Sequence, residues 1–188
     1  MRTWFTSDLH LGHRLVAGKR GFGEDTDAHD AALAANWRAC VGETDIVWVL
    51  GDLTLGRVDA ALAPLAALPG RKRLVLGNHD RGHPMHRDAH LFAAAYAAVF
   101  ELVTHAARTR VLGVEALLSH FPYERDRGAV RHTQWRLPDL GVPLIHGHTH
   151  DRERVALSAA GTREVHVGLD AWDLAPVRDE EVRELLQD

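Results

Sequence analysis

Hydrophobic and polar positions alternate with two different periods along the first half of the chain. Short, continuous apolar runs predict buried strands, whereas apolar residues spaced three and four apart predict helices packed on one face. The predicted strands are 3–7, 46–50 and 74–76, and the predicted helices run from a cap at Thr26 or Asp27 to Gly42 and from Val58 to Leu68. Strands that alternate with helices indicate a parallel sheet covered by helices. The segment Leu15 to Glu24 is rich in glycine and basic residues and is predicted to be a loop.

The second half of the chain is predicted to contain more strands and fewer helices. An alanine-rich helix is expected at 88–98, followed by strands at 100–105, 110–118, 144–146, 154–158 and 164–168, with a hairpin turn at 158–161 and a last helix from Asp179 to Leu186. The polar, irregular stretch 122–142 is the best candidate for a loop or lid on the substrate side. Together the two halves predict an α/β fold in which residues 1–188 form one domain.

The composition is that of an ordinary globular protein, apart from its histidines. The 188 residues carry a formal charge of −4, which argues against a protein that binds long nucleic acid. No apolar run is long enough to cross a bilayer. A single cysteine, Cys40, and the lack of a signal peptide lead us to expect a cytoplasmic protein. Fourteen histidines are several times the number expected from average usage, but the count alone proves nothing and their positions decide.

Five short polar motifs each follow a predicted strand. They are Asp8-x-His10, Gly51-Asp52, Gly77-Asn78-His79-Asp80, Ser119-His120 and Gly147-His148-Thr149-His150. Ligand sites in open α/β sheets form at the carboxyl ends of the strands, so we expect these side chains to converge. Their oxygen and imidazole donors, without thiolate, suit Mn, Fe or Zn. There are too many donors for one ion, and two ions bridged by a carboxylate suit in-line attack at phosphorus.

The order of these motifs resembles that of the calcineurin-like metallophosphoesterase superfamily. The likeness extends from Asp8 to His150, and the segment Gly168 to Asp173 is most similar to compact bacterial and phage members without a cap domain. It implies a four-layer α/β/β/α sandwich with a metal site at the carboxyl ends of the strands. It also implies two divalent ions, with Mn favoured over Fe, Zn, Co or Ni. The implied ligands are Asp8, His10 and His150 for one ion, Asn78, His120 and His148 for the other, and Asp52 as the bridge.

The resemblance also implies a mechanism in which a hydroxide held by the metals attacks phosphorus. His79 would be the general acid that protonates the leaving oxygen, since imidazole titrates near neutral pH. Asp80 would either orient His79 or tie down its loop, and both alternatives remain open. We further predict that His13 and Arg14 contact the substrate.

One departure from the family pattern narrows the expected substrate. Members that act on phosphoproteins continue Gly-Asp with a further Asp-Arg-Gly, but here Leu55 stands where that aspartate would be. We therefore expect a small, anionic, nucleotide-like phosphodiester as substrate. A phosphomonoesterase of the same mechanism is the alternative, and a non-catalytic scaffold of the same fold is a third hypothesis. A metallo-β-lactamase-type hydrolase is excluded by spacing, because Arg152 stands where its motif needs Asp.

Overall fold

Two five-stranded sheets face each other across an apolar core in this computed structural model, which describes residues 1–126 and 128–187. The strands are β1 (Thr3–Thr6), β2 (Ile46–Val49), β3 (Arg71–Val75), β4 (Leu102–Thr104), β5 (Ala106–Val111), β6 (Val114–Ser119), β7 (Leu144–His146), β8 (Val155–Leu157), β9 (Arg163–His166) and β10 (Val177–Arg178). The helices are α1 (Arg14–Lys19), α2 (Thr26–Cys40), α3 (Val58–Ala66), α4 (Ala93–Ala97) and α5 (Asp179–Gln187). This arrangement confirms the predicted α/β sandwich.

The first sheet has the strand order β10-β1-β2-β3-β4. Strands β1 to β4 are parallel, and β10 pairs antiparallel with β1. Apolar residues of α2 and α3, among them Trp37 and Leu65, pack with Val47, Val49 and Leu74 in one buried cluster. The helices therefore cover one face of this sheet, as the two periodicities predict.

The second sheet has the strand order β5-β6-β7-β9-β8. Its three central strands are parallel, and β5 and β8 pair antiparallel at the edges. Leu118, Ile145 and Val165 join Phe5 and Trp48 of the first sheet in the core between the sheets. Helix α5 closes this core with two of its apolar residues, Val182 and Leu186. No helix among the described residues is long and apolar enough to span a membrane.

Two of the predicted elements differ from the structure. The predicted strand 110–118 is two strands, β5 and β6, joined by Leu112-Gly113, and both turn residues have positive φ (45° and 96°). Two left-handed residues in succession reverse the chain tightly, while the apolar residues Val111, Leu112 and Val114 around the turn conceal it in the sequence. The predicted loop at 15–24 begins with helix α1, because the His13 ring caps it by accepting the backbone N–H of Val16.

Smaller differences concern where elements begin and how they coil. Helix α2 begins at Thr26, and its cap is Asp25, which accepts the N–H of Ala28, instead of Thr26 or Asp27. The predicted helix 88–98 is a 3-10 turn at Ala89–Phe92 followed by α4. The hairpin turn at 158–161 is confirmed, with β8 and β9 antiparallel on either side.

Candidate metal centre

The five predicted motifs lie together at the carboxyl ends of parallel strands from both sheets. Backbone hydrogen bonds join neighbouring loops: Asp8 N–H donates to Gly51 O at 3.0 Å, and Gly147 N–H donates to His120 O at 3.0 Å. A bridge between Ser7 and Gly168 links the end of the first sheet to the second. The convergence expected from strand topology is thus present in the structure.

The backbone at most of these positions is left-handed. Positive φ occurs at Asp8 (60°), His10 (49°), Asp52 (56°), His148 (72°) and His150 (53°). This conformation is uncommon for residues other than glycine, and it persists at functional sites where the surrounding structure enforces it. Gly77 and Gly147 pack so closely on the site that a Cβ would collide with the Asp52 carboxylate at Gly77 and with the Asp8 carboxylate at Gly147. The loops are therefore shaped to bring donor atoms together.

The first group of donor atoms belongs to Asp8, His10 and His150. The Nε2 atoms of His10 and His150 are 3.1 Å apart. Asp8 Oδ1 lies 4.0 Å from the first and 3.8 Å from the second. Donors that bind one ion at about 2.1 Å lie about 3 to 4 Å from each other, so these spacings fit a divalent cation.

The second group comprises Asp52, His120 and His148, with Asn78 beside it. His120 Nε2 lies 3.2 Å from His148 Nδ1, 3.2 Å from Asn78 Oδ1 and 3.4 Å from Asp52 Oδ2. The same Asp52 oxygen is 3.7 Å from His10 Nε2 in the first group. One carboxylate oxygen therefore faces both groups of donors.

The electrostatics of the site suit a cation. Burial raises the pKa of Asp52, but its imidazole neighbours, His120 foremost, outweigh that effect and hold the pKa well below its usual range. Burial lowers the pKa of His10 to about 3 and that of His148 to about 4. For His120 burial also lowers the pKa, but the Asp52 carboxylate prevails and raises it to about 9. Burial also lowers the pKa of His150, but its carboxylate neighbours, Asp8 foremost, outweigh burial and raise it. The ionised carboxylates and the lowered pKa values of His10 and His148 favour metal binding, whereas at His120 and His150 an ion would compete with a proton.

A family profile described as calcineurin-like phosphoesterase matches residues 1–152. The chain belongs to that family. This phosphoesterase is 49% identical over 189 residues to the Gene 66 protein of Mycobacterium phage L5, covering 95% of the chain and 91% of the relative. It is 50% identical over 196 residues to the Gene 66 protein of Mycobacterium phage D29, covering 98% and 96%. The family and the two donor groups support a metal-dependent phosphoesterase.

A solved structure resembles this phosphoesterase along nearly its whole length. It is that of AQ665, a protein of unknown function from Aquifex aeolicus, with a TM-score of 0.70, 23% identity and 98% coverage of both chains. At this identity the likeness concerns the fold alone.

His79 and Asp80 of this phosphoesterase have different surroundings. The His79 side chain is 38% exposed at the rim, with Nε2 3.9 Å from Asp52 Oδ2. The buried Asp80 carboxylate accepts the backbone N–H groups of Asp52, Leu53 and Gly77 at 2.8 to 2.9 Å. Asp80 thus joins the loops that follow β2 and β3.

Of the two predicted substrate contacts, His13 lies near the donor groups, and its ring centroid is 5.8 Å from that of His10. Its Nδ1 is engaged in capping α1. Arg14 forms an exposed ion pair with Glu24. Neither contact is tested by the structure, so both stay predictions.

An open cleft of about 980 Å³ borders the donor groups. His148 and His150 form part of its wall. Its basic lining residues are Lys19, Arg125, Arg131 and Arg152. Arg127 of the segment 122–142 lies outside the described residues. The acidic lining residues of the cleft are Glu124, Asp126, Asp151, Glu153 and Asp170, so the charge of the lining is mixed. Bound cations in the candidate site would make the potential there more favourable to an anion.

Sequence reasoning missed two carboxylates that contact the histidines of the Gly-His-x-His motif. Asp170 Oδ2 lies 2.8 Å from His150 Nδ1, and Asp126 Oδ1 lies 2.6 Å from His148 Nε2. Asp170 falls within the segment that resembles compact family members, so a signal for it existed. Asp126 lies in the irregular stretch 122–142, where no periodic pattern marks it.

Proposed function

We propose that this protein is a dinuclear metal-dependent phosphodiesterase that acts on a small, nucleotide-like phosphodiester. The observation that carries the proposal is the position of Asp52 Oδ2, within 3.9 Å of His10, His79 and His120. A carboxylate oxygen shared by two groups of donors is what a bridged pair of ions requires. The family membership supplies the reaction class.

The proposed ligands are those implied by the sequence. Asp8, His10 and His150 would hold one ion, Asn78, His120 and His148 the other, and Asp52 both. The imidazole, amide and carboxylate donors suit Mn, which we favour, or Fe, Zn, Co or Ni. When bound, such ions neutralise phosphoryl oxygens and activate the nucleophile.

We assign proton transfer to the leaving oxygen to His79. Its imidazole is at the open rim, where substrate can reach it, and its backbone N–H donates to Asp52 Oδ1 at 2.9 Å, which fixes the loop. Burial lowers the pKa of His79, and the Asp52 carboxylate opposes that effect. The three hydrogen bonds of Asp80 support the role of tying down the loops over the role of orienting His79.

The choice of a phosphodiester rests on two features. Leu55, which is 46% exposed, replaces the carboxylate expected of a protein phosphatase. The cleft of about 980 Å³ also extends beyond the donor groups, so there is room for groups on both sides of the phosphorus. A phosphomonoesterase remains the alternative, and a cytoplasmic location stays a prediction.

Initial rates of metal-stripped protein test this proposal. We expect added Mn²⁺ to restore hydrolysis of bis-p-nitrophenyl phosphate. The restored protein should hydrolyse this diester faster than the monoester p-nitrophenyl phosphate. His79→Ala is expected to lower kcat by about 10²- to 10⁴-fold, because the leaving oxygen loses its acid. His90→Ala, at an exposed position, is the matched control.

Each contrary result has a definite meaning. Faster release from the monoester would establish the phosphomonoesterase. Metal binding without turnover of either substrate would favour the scaffold hypothesis. Full activity of His79→Ala would show that the acid is misassigned.

A further inference from the structure

Asp126 connects the irregular segment 122–142 to the candidate metal centre. We name its described residues, 122–126 and 128–142, the Asp126 loop. The side chain of Asp126 is 1% exposed, and its Oδ1 lies 2.6 Å from Nε2 of His148. His148 comes from the end of β7, so this contact joins the loop to a strand end of the second sheet.

The Asp126 carboxylate is held from its other side by the loop itself. Its Oδ2 accepts the backbone N–H of Arg131 and a guanidinium N–H of Arg136, both at 2.7 Å. The Arg136 side chain is 3% exposed and donates to the carbonyl oxygens of Pro122 (2.8 Å) and Arg125 (3.1 Å). A buried carboxylate with these partners is fixed in place, unlike a solvated loop residue.

The other nitrogen of His148 points to the proposed metal ligands. Nδ1 is 3.2 Å from His120 Nε2, in the second group of donors. A carboxylate on the outer nitrogen of a metal-binding imidazole fixes the orientation of the ring and increases its basicity. The ring of His148 therefore has a loop carboxylate 2.6 Å from one nitrogen, in an ion-pair contact without hydrogen-bond alignment, and the donor group at the other nitrogen.

The first donor group has a matching arrangement. Asp170 contacts the outer nitrogen of His150 at 2.8 Å, and the buried Arg20 donates to both of its oxygens at 3.0 and 2.9 Å. Each histidine of the Gly-His-x-His motif thus meets a carboxylate that an arginine holds. The two carboxylates come from separate parts of the chain. The occurrence of the same kind of contact at both histidines therefore supports a common role better than either contact would alone.

We propose that Asp126 is a positioning residue: it orients the His148 imidazole toward the second donor group and thereby makes the Asp126 loop part of the metal centre. This inference rests on the proposed function, because it presupposes that the second donor group binds an ion. Loop residues that line the substrate cleft, Arg125 and Arg131, flank Asp126 and are placed by the same contacts.

Metal titration of Asp126→Asn and Asp126→Ala tests the proposal. Metal-stripped proteins are titrated with Mn²⁺ by calorimetry, without substrate. We expect both variants to bind one of the two ions 10- to 100-fold more weakly and the other as tightly as the wild type. Asp139→Asn is the matched control: Asp139 is a loop carboxylate that accepts hydrogen bonds from Ser158 and Thr162, and we expect both ions to bind normally.

A double variant separates positioning from a general effect on folding. His148→Ala should weaken the same ion, and adding Asp126→Ala to it should cause no further loss, because residues that act through one another are not additive. Folding of each variant is checked by circular dichroism without metal. If Asp126→Ala does not fold, the Mn²⁺ titration of the near-isosteric Asp126→Asn provides the test.

The contrary outcomes are distinct. Wild-type affinity for both ions in Asp126→Asn would overturn the positioning role and leave the proposed function intact, as would additive losses in the double variant. A wild-type protein that binds no Mn²⁺ would overturn the proposed metal centre and this inference with it. Selective loss of one ion in a protein without phosphoesterase activity would support the positioning role and refute only the catalytic proposal.

Discussion

At the scale of single residues, Asp45 shows how one carboxylate holds the start of the chain. Its oxygens accept the N–H of Arg2 at 2.8 Å, Nε1–H of Trp4 at 3.0 Å and the N–H of Gly42 at 3.1 Å. The hydrogen bond from Trp4 is the main cause that lowers the pKa of Asp45 to about 2. The ionised carboxylate is therefore the form that stabilises the fold.

We expect Asp45→Ala to lower the free energy of unfolding by about 1 to 3 kcal/mol at pH 7, because it leaves the buried Trp4 N–H unpaired. The folded pKa is below the unfolded value of about 3.9. The stabilisation is therefore fully present above about pH 4 and declines as the pH falls toward 2. Urea unfolding of metal-free protein from pH 7 to pH 2.5 measures this difference.

Asp59→Ala serves as the control, because Asp59 is exposed and pairs only with Arg57 among the described residues. It should change the unfolding free energy little at any pH in this range. If the difference in unfolding free energy between wild type and Asp45→Ala stayed constant down to pH 2.5, the stabilising role of the ionised Asp45 carboxylate would be contradicted.

The residues of the site differ in how far the sequence could predict them. Asp8, Asp52 and His148 follow apolar runs, and parallel strands must end at a common edge, so their convergence follows from the pattern. The Asp126 carboxylate is held in place by an ion pair with Arg136, which lies ten residues further along an irregular loop. No period relates such positions, so only the folded loop reveals the contact.

At the scale of elements, the turn between β5 and β6 illustrates the limit of periodicity. Leu112 has a φ of 45° and is 51% exposed, so the turn holds a bulky side chain in a left-handed conformation without burying it. Asparagine tolerates this conformation far better, and Asn-Gly is the preferred pair for such a turn. The apolar residue at 112 is what made the sequence look like one continuous strand.

We expect Leu112→Asn to raise the free energy of unfolding by about 0.5 to 1 kcal/mol, because it relieves backbone strain in the hairpin. Leu140→Asn removes another exposed leucine, 82% exposed, at a position without positive φ. That control should bring no gain. Chemical denaturation of the three proteins provides the comparison, and equal gains in both variants would mean that loss of exposed apolar surface, instead of turn geometry, is responsible.

At the scale of the whole molecule, the donor atoms come from both sheets. Asp8, His10, Asp52 and Asn78 follow strands of the first sheet, and His120, His148 and His150 follow strands of the second. The two buried clusters that hold the sheets and helices together consist of apolar residues and contain none of these candidate ligands. The fold therefore has a core that does not depend on the site.

We expect the metal-stripped protein to stay folded but to unfold at a lower temperature than the Mn²⁺-loaded protein. Each ion should add about 4 kcal/mol to the free energy of unfolding when free Mn²⁺ is 1,000 times its dissociation constant. Calorimetric scans with Mn²⁺ or with chelator measure the shift. The increase in melting temperature on adding Mn²⁺ should be larger for the wild-type protein than for Asp52→Asn. Identical melting temperatures of the wild-type protein with and without Mn²⁺ would contradict a specific site.

Because the candidate ligands are divided between two sheets, the distances between their donor atoms depend on how the sheets are stacked. A shift of one sheet along the other by a fraction of an ångström would change donor distances in both groups, since Asp52 belongs to one sheet and faces His10 and His120, one from each. Substitutions in the inter-sheet core, which contains none of the donors, would therefore disturb the candidate site if they changed how the sheets stack. If the donors bind metal, a change of side-chain volume at Ile145 or Val165 is expected to weaken metal binding as well as packing.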